Sequence, residues 1–558
     1  MESSYGTTAR ARGAEPLGRA RIEFPRTHVP MTLPRHAPFP AAPFSTSRRR
    51  LLRSTASLAA AAVWAGRAEG PLRADVTLSG DPFALGVASG DPTADGFVIW
   101  TRLAPDPKRP DGAMPAEAVA VRYEVAEDEA FARIVHRGTA TATPDWAHSV
   151  HAEVTGLAPD RPFFYRFHCA GATSPVGRAR TFPAVGTAPD SLRFAFASCQ
   201  HYEQGFYTAY GQMVRDDPAV ILHLGDYIYE QATRGVPVRS QHGGDALTLA
   251  DYRQRHAVYK TDADLQAAHR HCPWIVTWDD HEVANDYWGG HSSDATVSAA
   301  AFAARRAAGY QASYEHLPLG RAQLPGSSGM PLFRRVSFGT LAEFFVLDTR
   351  QYRTQQPCGG GTRPPCDGML DEAATLTGAE QERWLLDGFA ASAATWNILA
   401  QQVMMARVDR ATGPSEAFST DQWPGYERQR RRILTAMAAR PAANPLVLTG
   451  DIHSHWANDL VAAEGDAAGR VVGTELVTTS ISSGGNGTAT PAGLAATRAE
   501  NPFVKFHSAQ RGYVACDLAA DRCLATFRVV DVVTHPGGTV STAASFAIHD
   551  GRPGLETA

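Results

Sequence analysis

The sequence contains no run of about 18 or more consecutive apolar residues, so no ordinary transmembrane helix is expected. Cysteine is scarce, with 7 residues in 558, which excludes a disulfide-dominated mini-protein. Charged residues make up 20% of the chain and hydrophobic residues 44%, and this balance excludes a wholly disordered protein. The length allows roughly two to four domains, each with its own hydrophobic core.

Lysine is absent from residues 1–68, which hold 11 arginines and three acidic residues. The rest of the chain therefore carries a net charge of about −12. A body this acidic is a poor nucleic-acid binder, so no nucleic-acid scaffold is expected as a partner. It is a suitable host for cations.

The basic segment has the features of an export signal. Arg48, Arg49 and Arg50 are followed by two leucines, Arg53 and an alanine-rich stretch at residues 56–65. This pattern resembles a twin-arginine signal, with a basic disordered arm as the alternative. We therefore predict that residues 1–68 form a disordered arm plus signal peptide. The chain would use the twin-arginine export machinery and end up periplasmic or secreted. That route commonly carries folded proteins with a bound cofactor, so a metal loaded inside the cell is expected.

The segment at residues 78–185 has the pattern of an all-β domain. Short β-type runs at residues 97–101, 119–123 and 163–167 are separated by glycine, proline and aspartate turns. We predict a small fibronectin-like β-sandwich domain here.

From residue 192 to about 550 the pattern changes to apolar runs that each end in polar residues. Near-continuous apolar strands indicate burial on both faces. Helical segments lie between them, one predicted to begin with a capping box from Thr377 to Glu380. The predicted fold is layered α/β, a β-sandwich flanked by helices. Ligands in layered α/β folds bind beyond the carboxyl ends of the strands. Six such ends carry candidate ligands, at residues 199, 226, 279–282, 348–350, 401–402 and 451–453.

The cysteines fall into three groups. Cys358 with Cys366, and Cys516 with Cys523, bracket short loops and are predicted to form disulfides. Cys169 and Cys272 are expected to be separate buried thiols. Cys199 remains, at the end of an apolar run, as either a core thiol or a metal ligand.

Three motifs have the residue types of a two-metal site. In GDYIYE at residues 225–230, an aspartate is able to bridge two cations and a tyrosine lies three residues later. In DDHE at residues 279–282, three acids within four residues repel one another unless something neutralises them. In GDIHSH at residues 450–455, the aspartate and the first histidine share one face of an extended chain. A turn, a solvated acidic loop and a surface histidine cluster are the respective non-functional alternatives.

Together these segments resemble the calcineurin-like metallophosphoesterases, and within them the PhoD family of alkaline phosphatases and phosphodiesterases. The resemblance covers most of residues 78–550. The motifs that carry it are FALGVASGDP at residues 83–92, SCQ at 198–200, GDYIYE at 225–230, WDDHE at 278–282, LDTRQYR at 347–353, NILAQQV at 397–403 and TGDIHSHW at 449–456.

The resemblance implies a ligand set and a cofactor pair, Fe³⁺ with Ca²⁺. Thiolate and phenolate ligands suit a trivalent iron, and oxygen-rich ligation favours calcium over zinc. The iron ligands implied are Cys199, Asp226, Tyr229 and Asp451. The calcium ligands implied are Asp226, Asp280, His453 and an amide of the Gln401–Gln402 pair. Gln402 is the first choice, and Gln401 remains the competing candidate.

The function expected from the resemblance is metal-dependent hydrolysis of small-molecule phosphoesters. A hydroxide activated at the metals would attack phosphorus in line. His281 would donate a proton to the leaving oxygen, or else be a structural neighbour of Asp280. Arg350 and Arg353 would contact phosphate, or else pair with nearby acids. Phosphomonoesters and phosphodiesters are both expected as substrates. The alternatives are a phospholipase D-type phosphodiesterase and a non-catalytic metal- or phosphate-binding relative.

Overall fold

The structure of the protein is a computed structural model that describes residues 76–241, 243–439, 444–462 and 469–558. The predicted arm and signal at residues 1–68 lie outside the described residues. All described residues belong to one compact unit. The division into domains at residues 78–185 and 192–550 stays a prediction. Within the described ranges, no helix combines the length and apolar character that crossing a bilayer requires.

The first part of the described chain is all β, as its sequence predicts. Its strands are β1 (Val87–Gly90), β2 (Phe97–Arg102), β3 (Val119–Ala126), β4 (Ile134–Ala142), β5 (Ser149–Val154), β6 (Pro162–Cys169), β7 (Ala172–Thr173) and β8 (Gly177–Arg180). One sheet has the order β4-β3-β6-β7, with β8 paired to β6. Its apolar face packs on β1, β2 and β5 around a core that includes Val121, Phe163 and Ile99.

The rest of the chain alternates strands and helices. Its first strands are β9 (Ser191–Ala197), β10 (Val220–Leu224), β11 (Pro273–Thr277), β12 (Arg334–Phe338), β13 (Ala342–Val346), β14 (Thr362–Arg363), β15 (Trp396–Ala400) and β16 (Phe418–Ser419). They are followed by β17 (Pro445–Thr449), β18 (His455–Val461), β19 (Val471–Val477), β20 (Val504–Ser508), β21 (Arg511–Ala519), β22 (Arg522–Val530), β23 (Val540–His549) and β24 (Arg552–Thr557).

Helices connect these strands and cover the outer faces. The α-helices of the described residues are α1 (Thr208–Arg215), α2 (Leu249–Lys260), α3 (Ala263–His271), α4 (Ala299–His316), α5 (Gly378–Ala391), α6 (Glu427–Ala438) and α7 (Leu494–Glu500). Short 3-10 helices lie at Pro144–Trp146, Tyr202–Gln204, Arg321–Gln323, Pro357–Gly359, Asp367–Leu370 and Trp423–Tyr426.

Two large sheets form the central sandwich. The ten-stranded sheet has the order β24-β23-β22-β21-β9-β10-β11-β1-β2-β5, and the seven-stranded sheet has the order β12-β13-β15-β17-β19-β18-β20. Their inner faces meet in a core that includes Phe196, Leu222, Phe344 and Ile398. Helices α1 to α4 cover the outer face of the first sheet, and α5 and α6 that of the second. The predicted layered α/β fold with an N-terminal β-sandwich is confirmed.

The first sheet runs through both parts of the chain. Strand β1 pairs parallel with β11, and β2 and β5 extend the sheet beyond it. The ten-stranded sheet therefore supplies one layer of the N-terminal sandwich as well as half of the central one.

Two local predictions need correction. Thr377 does not cap α5, because its side-chain oxygen accepts a hydrogen bond from Gln429 (2.7 Å) rather than from the first turn of the helix. Cys358 and Cys366 form the predicted disulfide, whereas Cys516 and Cys523 are free and buried. On the paired strands β21 and β22 these two cysteines are diagonal neighbours, since Cys523 lies opposite Leu518.

Candidate metal centre

The carboxyl ends of six strands, three from each large sheet, meet at one edge of the sandwich. Strands β9, β10 and β11 are parallel in the first sheet, and β13, β15 and β17 are parallel in the second. The hydroxyl of Thr277, at the end of β11, donates to the carbonyl of Leu347 after β13 (2.8 Å). The thiol of Cys199 after β9 lies 3.7 Å from the carbonyl oxygen of Asp451 after β17. The convergence predicted from the sequence is therefore present.

The backbone bends sharply where these strands end. Cys199, Asp226, Asp451 and His453 have φ angles of 60°, 55°, 67° and 51°, in the left-handed region. Non-glycine residues adopt this region at a cost of about 1 kcal/mol or more each, and such residues concentrate at functional sites. Gly225 has a φ of 110°, and a Cβ there would lie 2.5 Å from Cβ of Asp279. The close approach of the β10 and β11 ends thus requires glycine at this position.

The first group of possible ligands comprises Cys199, Asp226 and His453. One ligand atom from each lies within 4.8 Å of the others. The hydroxyl of Tyr229 donates to Oδ2 of Asp226 (2.8 Å) and lies 2.9 Å from Nε2 of His453. Within the described residues, Oδ1 of Asp226 is buried without a hydrogen-bond partner. The sequence-based assignment put His453 with Asp280, whereas here it groups with Cys199.

The second group comprises Asp226, Asp280 and His281, again within 4.8 Å of one another. Oδ2 of Asp280 accepts a hydrogen bond from the backbone amide of Asp286 (2.6 Å). Asp226 belongs to both groups, so its carboxylate is placed to be shared between two ions. Asp451 belongs to neither group. Its Oδ2 lies 3.4 Å from the amide nitrogen of Gln422.

Burial and mutual interaction shift the pKa values of these groups. Burial, and then the neighbouring acids, raise the pKa of Asp226 to about 6 and of Asp451 to about 8. Burial and Asp226 raise the pKa of the Cys199 thiol well above its usual range. Burial lowers the pKa of His453 to about 3, which keeps its imidazole neutral and able to act as a ligand. Buried acids with an unpartnered oxygen, a thiol, a phenol and a neutral imidazole together fit metal ions.

The three acids of the DDHE motif have separate partners. Asp280 faces the site, where burial raises its pKa but Arg350 and His281 lower it further, so that it stays ionised. Asp279 pairs with the Nε atom of Arg350. Glu282 accepts from the backbone amides of Asp226 (3.2 Å) and Asp279 (2.9 Å), and so ties the ends of β10 and β11 together. The sequence reasoning gave Glu282 no role, although it lies within the motif.

Gln401 and Gln402 are both buried and fully hydrogen-bonded. The oxygen of Gln402 accepts from the backbone amide (3.2 Å) and the hydroxyl (2.7 Å) of Thr349. Its nitrogen donates to Thr277 (2.9 Å) and to the carbonyl of Leu347 (3.0 Å). The oxygen of Gln401 accepts from the indole of Trp423 (3.0 Å) and the amide of Val403 (3.1 Å). An amide oxygen has two lone pairs, so either glutamine must give up a hydrogen bond to reach a metal.

Arg350 and Arg353 pair with an acid that the sequence reasoning did not single out. Nη1 of Arg350 lies 2.9 Å and Nη1 of Arg353 2.8 Å from Oδ1 of Asp421. Arg350 also lies 3.6 Å from Oδ2 of Asp280, and its side chain is 1% exposed. In this structure both arginines therefore pair with nearby acids, which was the alternative to phosphate contact. Asp421 follows the two-residue strand β16, which is too short to show a periodic pattern in the sequence.

His281 has a carboxylate partner and an aromatic neighbour. Its Nδ1 lies 2.6 Å from Oε2 of Glu230, whose Oε1 accepts from the backbone amide of Asn285 (2.7 Å). The His281 side chain is 15% exposed, whereas Glu230 is buried. The ring centroid of Tyr229 lies 4.2 Å from that of His281 and 4.5 Å from that of His201. The sequence analysis assigned Glu230 no role, although Glu230 is the last residue of the GDYIYE motif and could have been singled out there.

Comparison with known proteins identifies a family and relatives that this chain resembles. The family model described as "PhoD-like phosphatase" matches residues 194–527, and "PhoD-like phosphatase, N-terminal domain" matches residues 70–183. A curated relative, "Alkaline phosphatase D" of Bacillus subtilis (strain 168), is 46% identical over 479 residues, covering 85% of this chain and 82% of the relative. The solved structure titled "Structure of PhoD" matches with a TM-score of 0.84 and 45% identity. The match covers 86% of this chain and 93% of that one.

Proposed function

The chain belongs to the PhoD-like phosphatase family and is a phosphoric ester hydrolase, and from that premise we propose that it is an exported metalloenzyme that cleaves phosphomonoesters and phosphodiesters at one site. The observation that carries the proposal is that two groups of ligand side chains share the Asp226 carboxylate. A carboxylate shared in this way would hold two metal ions close together, as a two-metal hydrolytic site needs.

We propose that iron and calcium are the two metals. Cys199, Asp226 and Tyr229, with Asp451, would supply the anionic donors that a trivalent iron favours, and His453 would add a neutral imidazole. Asp226 and Asp280 would supply hard oxygen ligands of the kind that calcium prefers. Gln402 enters this set only by giving up a hydrogen bond from Thr349. When bound, such a pair of ions lowers the pKa of a coordinated water and stabilises charge on the phosphoryl oxygens.

The protein's own groups then have distinct tasks. His281 is partly exposed beside Asp280 and is held by Glu230, so we assign it the transfer of a proton to the leaving oxygen. Arg350 contacts Asp279, Asp280 and Asp421, and its charge helps to keep Asp280 ionised. Direct phosphate contact by Arg350 or Arg353 would require either guanidinium to leave Asp421. We therefore propose that Arg350 positions Asp280, and that Arg353 helps to hold Asp421 against Arg350.

Breadth of substrate follows from recognition of the phosphoryl group itself. A monoester carries one more negative charge than a diester, and two cations favour the more negative substrate. A diester has a second substituent, so its binding requires that the entrance to the site be open. His281, Asp451 and His453 are only partly buried, which supports access from solvent. A phospholipase D-type specificity and a non-catalytic role are the alternatives.

The test combines metal content with activity on the protein purified from its exported pool. Iron and calcium in stoichiometric amounts, with turnover of a chromogenic monoester and a chromogenic diester fastest at alkaline pH, are expected. Both activities should fall together in Asp280→Asn and His453→Ala, while Asp517→Asn, in an exposed ion pair with Arg193, keeps both. Zinc alone would contradict the ligand assignment, and survival of one activity would contradict the single site. Turnover of phospholipid diesters alone would favour the phospholipase D-type alternative.

Export is a separate part of the proposal. Arg48 and Arg49 are expected to direct the folded, metal-loaded chain to the twin-arginine machinery and so to the periplasm or the medium. Replacing both by lysine keeps the charge, and the precursor should then accumulate in the cytoplasm. Normal export of that variant would contradict this route.

A further inference from the structure

Arg410 is an exposed arginine beside the candidate metal centre with an unused guanidinium group. Within the described residues its side chain makes no hydrogen bond and no ion pair, and only its backbone amide is engaged, by the carbonyl of Ala417 (2.8 Å). Its guanidinium carbon lies 5.1 Å from the centroid of the Trp456 ring. Arginines at protein surfaces commonly pair with acids, so a guanidinium held over an aromatic ring without an acid is available to an anionic ligand.

The loop that carries Arg410 is closely tied in place. Oδ1 of Asp409 accepts from the backbone amides of Ala411 and Ala417, both at 2.9 Å. The side chain of Asn501, which is 1% exposed, accepts from the amide of Asp409 (2.8 Å) and donates to its carbonyl (2.9 Å). The loop therefore holds the Arg410 backbone in one position by contacts that do not involve its side chain.

Arg410 lies on the Asp451 side of the site. Trp456, over which it packs, is in the TGDIHSHW segment that supplies Asp451 and His453. The indole of Trp456 donates to Ser454 (2.8 Å), and its ring stacks on that of His507 (3.5 Å), which fixes the surface under the guanidinium. Asp451 is the acidic side chain that acts electrostatically on Arg410. These two relations place Arg410 beside the segment that carries Asp451 and His453.

The other arginines near the site are engaged. Arg350 and Arg353 share Asp421, as described above. Arg511 is buried and donates to Ser480 (2.5 Å) and to the carbonyl of Ala509 (2.5 Å). A site that binds a phosphoryl group would be expected to use a guanidinium group, because its fork matches two phosphate oxygens.

We propose that Arg410 is a substrate-binding residue whose guanidinium group contacts the anionic oxygens of the phosphoester. This inference rests on the proposed phosphoesterase function and deepens it. The contact is charge-dependent, so it favours a dianionic monoester over a monoanionic diester. Arg410 thus sets part of the preference between the two substrate classes, while the proton transfer at His281 proceeds without it.

The test uses the metal-loaded enzyme and three variants: Arg410→Ala, Arg410→Lys and, as the matched control, Arg407→Ala. Arg407 lies in the same loop, packs on Phe418 at 3.6 Å and is 3.7 Å from Glu416. Calorimetry measures binding of inorganic phosphate, and steady-state kinetics give kcat and KM for a monoester and a diester. Thermal unfolding shows that each variant is folded.

We expect Arg410→Ala to weaken phosphate binding and to raise KM for the monoester about 10-fold, equivalent to about 1.4 kcal/mol. The KM for the diester should rise less, and kcat should fall less than KM rises. Arg410→Lys should recover part of the loss, and Arg407→Ala should match the wild type.

Two results would overturn the inference: unchanged phosphate affinity and KM in Arg410→Ala, or no phosphate binding by the wild type. If the wild type binds phosphate through Arg410 but hydrolyses no phosphoester, the inference holds and the proposed hydrolytic function fails. If the wild type is active and Arg410→Ala is indistinguishable from it, the inference alone fails.

Discussion

The Nδ1 atom of His281 lies 2.6 Å from a carboxylate oxygen of Glu230, and the same carboxylate accepts from the backbone amide of Asn285. Glu230 raises the pKa of His281 well above its usual range, against the lowering effect of burial. The pair holds the imidazole in one orientation with its Nε2 free of Glu230. An imidazolium fixed in this way is suited to protonate a leaving group.

Glu230→Gln should slow cleavage of alkyl phosphates much more than cleavage of nitrophenyl phosphate. A good leaving group departs without a proton, whereas an alkoxide needs one, so kcat for the alkyl ester should fall roughly 100-fold. The measurement is kcat across a series of leaving groups. Glu475→Gln is the matched control, because Glu475 is equally buried and accepts from the backbone of Met405 (2.6 Å) away from His281. An equal fall for every leaving group would contradict a positioning role for Glu230.

Cys199→Ser should release iron while the fold is kept. The substitution removes the polarisable donor with little change in volume, and we expect iron content to fall to a small fraction and kcat/KM by at least about 100-fold. Any iron–thiolate or iron–phenolate absorption should disappear, which activity alone would not show. Cys272→Ser replaces another buried free thiol outside both ligand groups and should keep iron. Full iron content in Cys199→Ser would make Cys199 a core thiol.

The sequence predicts where the site lies, because in layered α/β folds ligands bind beyond the carboxyl ends of the strands, whatever the side chains are. The apolar runs that end near Cys199, Asp226 and Asp280 indicate buried strands. Neighbouring parallel strands place their carboxyl ends at one edge of a sheet. The side-chain partners that complete the site are less predictable. Asp421 is separated by 71 residues from Arg350 and lies on an irregular segment, so nothing in its local pattern indicates the contact.

The same limit explains the local corrections. A capping box at Thr377 is a short-range pattern, and a tertiary contact with Gln429 on α6 displaced it. Cys516 and Cys523 bracket a hairpin, but disulfide geometry depends on register, and Cys523 lies opposite Leu518. Sharing of the ten-stranded sheet between both parts of the chain depends on the β1–β11 pairing, which joins residues far apart in sequence.

Asp421→Asn should destabilise the protein strongly. Although burial raises it, the guanidinium groups of Arg350 and Arg353 hold the pKa of Asp421 at about 2. Neutralising this carboxylate leaves two buried cations with weaker partners, for which a loss of about 3–5 kcal/mol is expected. Urea unfolding of the metal-loaded protein at pH 8 measures it. Asp517→Asn breaks an exposed pair with Arg193 and should cost under about 1 kcal/mol. Equal costs would show that Asp421 does not neutralise the arginines.

Lys260 is buried at the end of α2 among aromatic rings. Its Nζ lies 2.9 Å from the Tyr227 hydroxyl, 3.3 Å from Nε2 of His269 and 4.5 Å from the centroid of Trp100. Within the described residues no carboxylate is within ion-pair distance of it. Burial lowers its pKa well below the usual range, and lowers the pKa of His256 likewise. The amine is therefore held in a place that favours its neutral form.

This placement makes the stability of the protein depend on pH. Between the lowered pKa of Lys260 in the folded state and its ordinary value of about 10.4, the unfolded chain binds the extra proton. The free energy of unfolding therefore rises with pH across that window, by up to about 1.4 kcal/mol per unit, and is lost as pH falls. The buried histidines act in the same direction below about pH 6.5. That is the ordinary pKa of histidine, and burial lowers their pKa beneath it in the folded state.

Lys260→Met should remove the lysine's part of that dependence. Methionine has a similar length and no charge, so the variant should gain stability relative to the wild type at pH 7 and lose that advantage towards pH 10. Urea unfolding at one-unit intervals from pH 7 to pH 10 measures the difference between the two proteins, in which other titrating groups cancel. Lys505→Met is the control, since Lys505 is partly exposed and 3.2 Å from Asp459. A wild-type–variant difference that stays constant across this range would mean that Lys260 keeps its proton in the folded protein, stabilised by Tyr227 and Trp100 despite its burial.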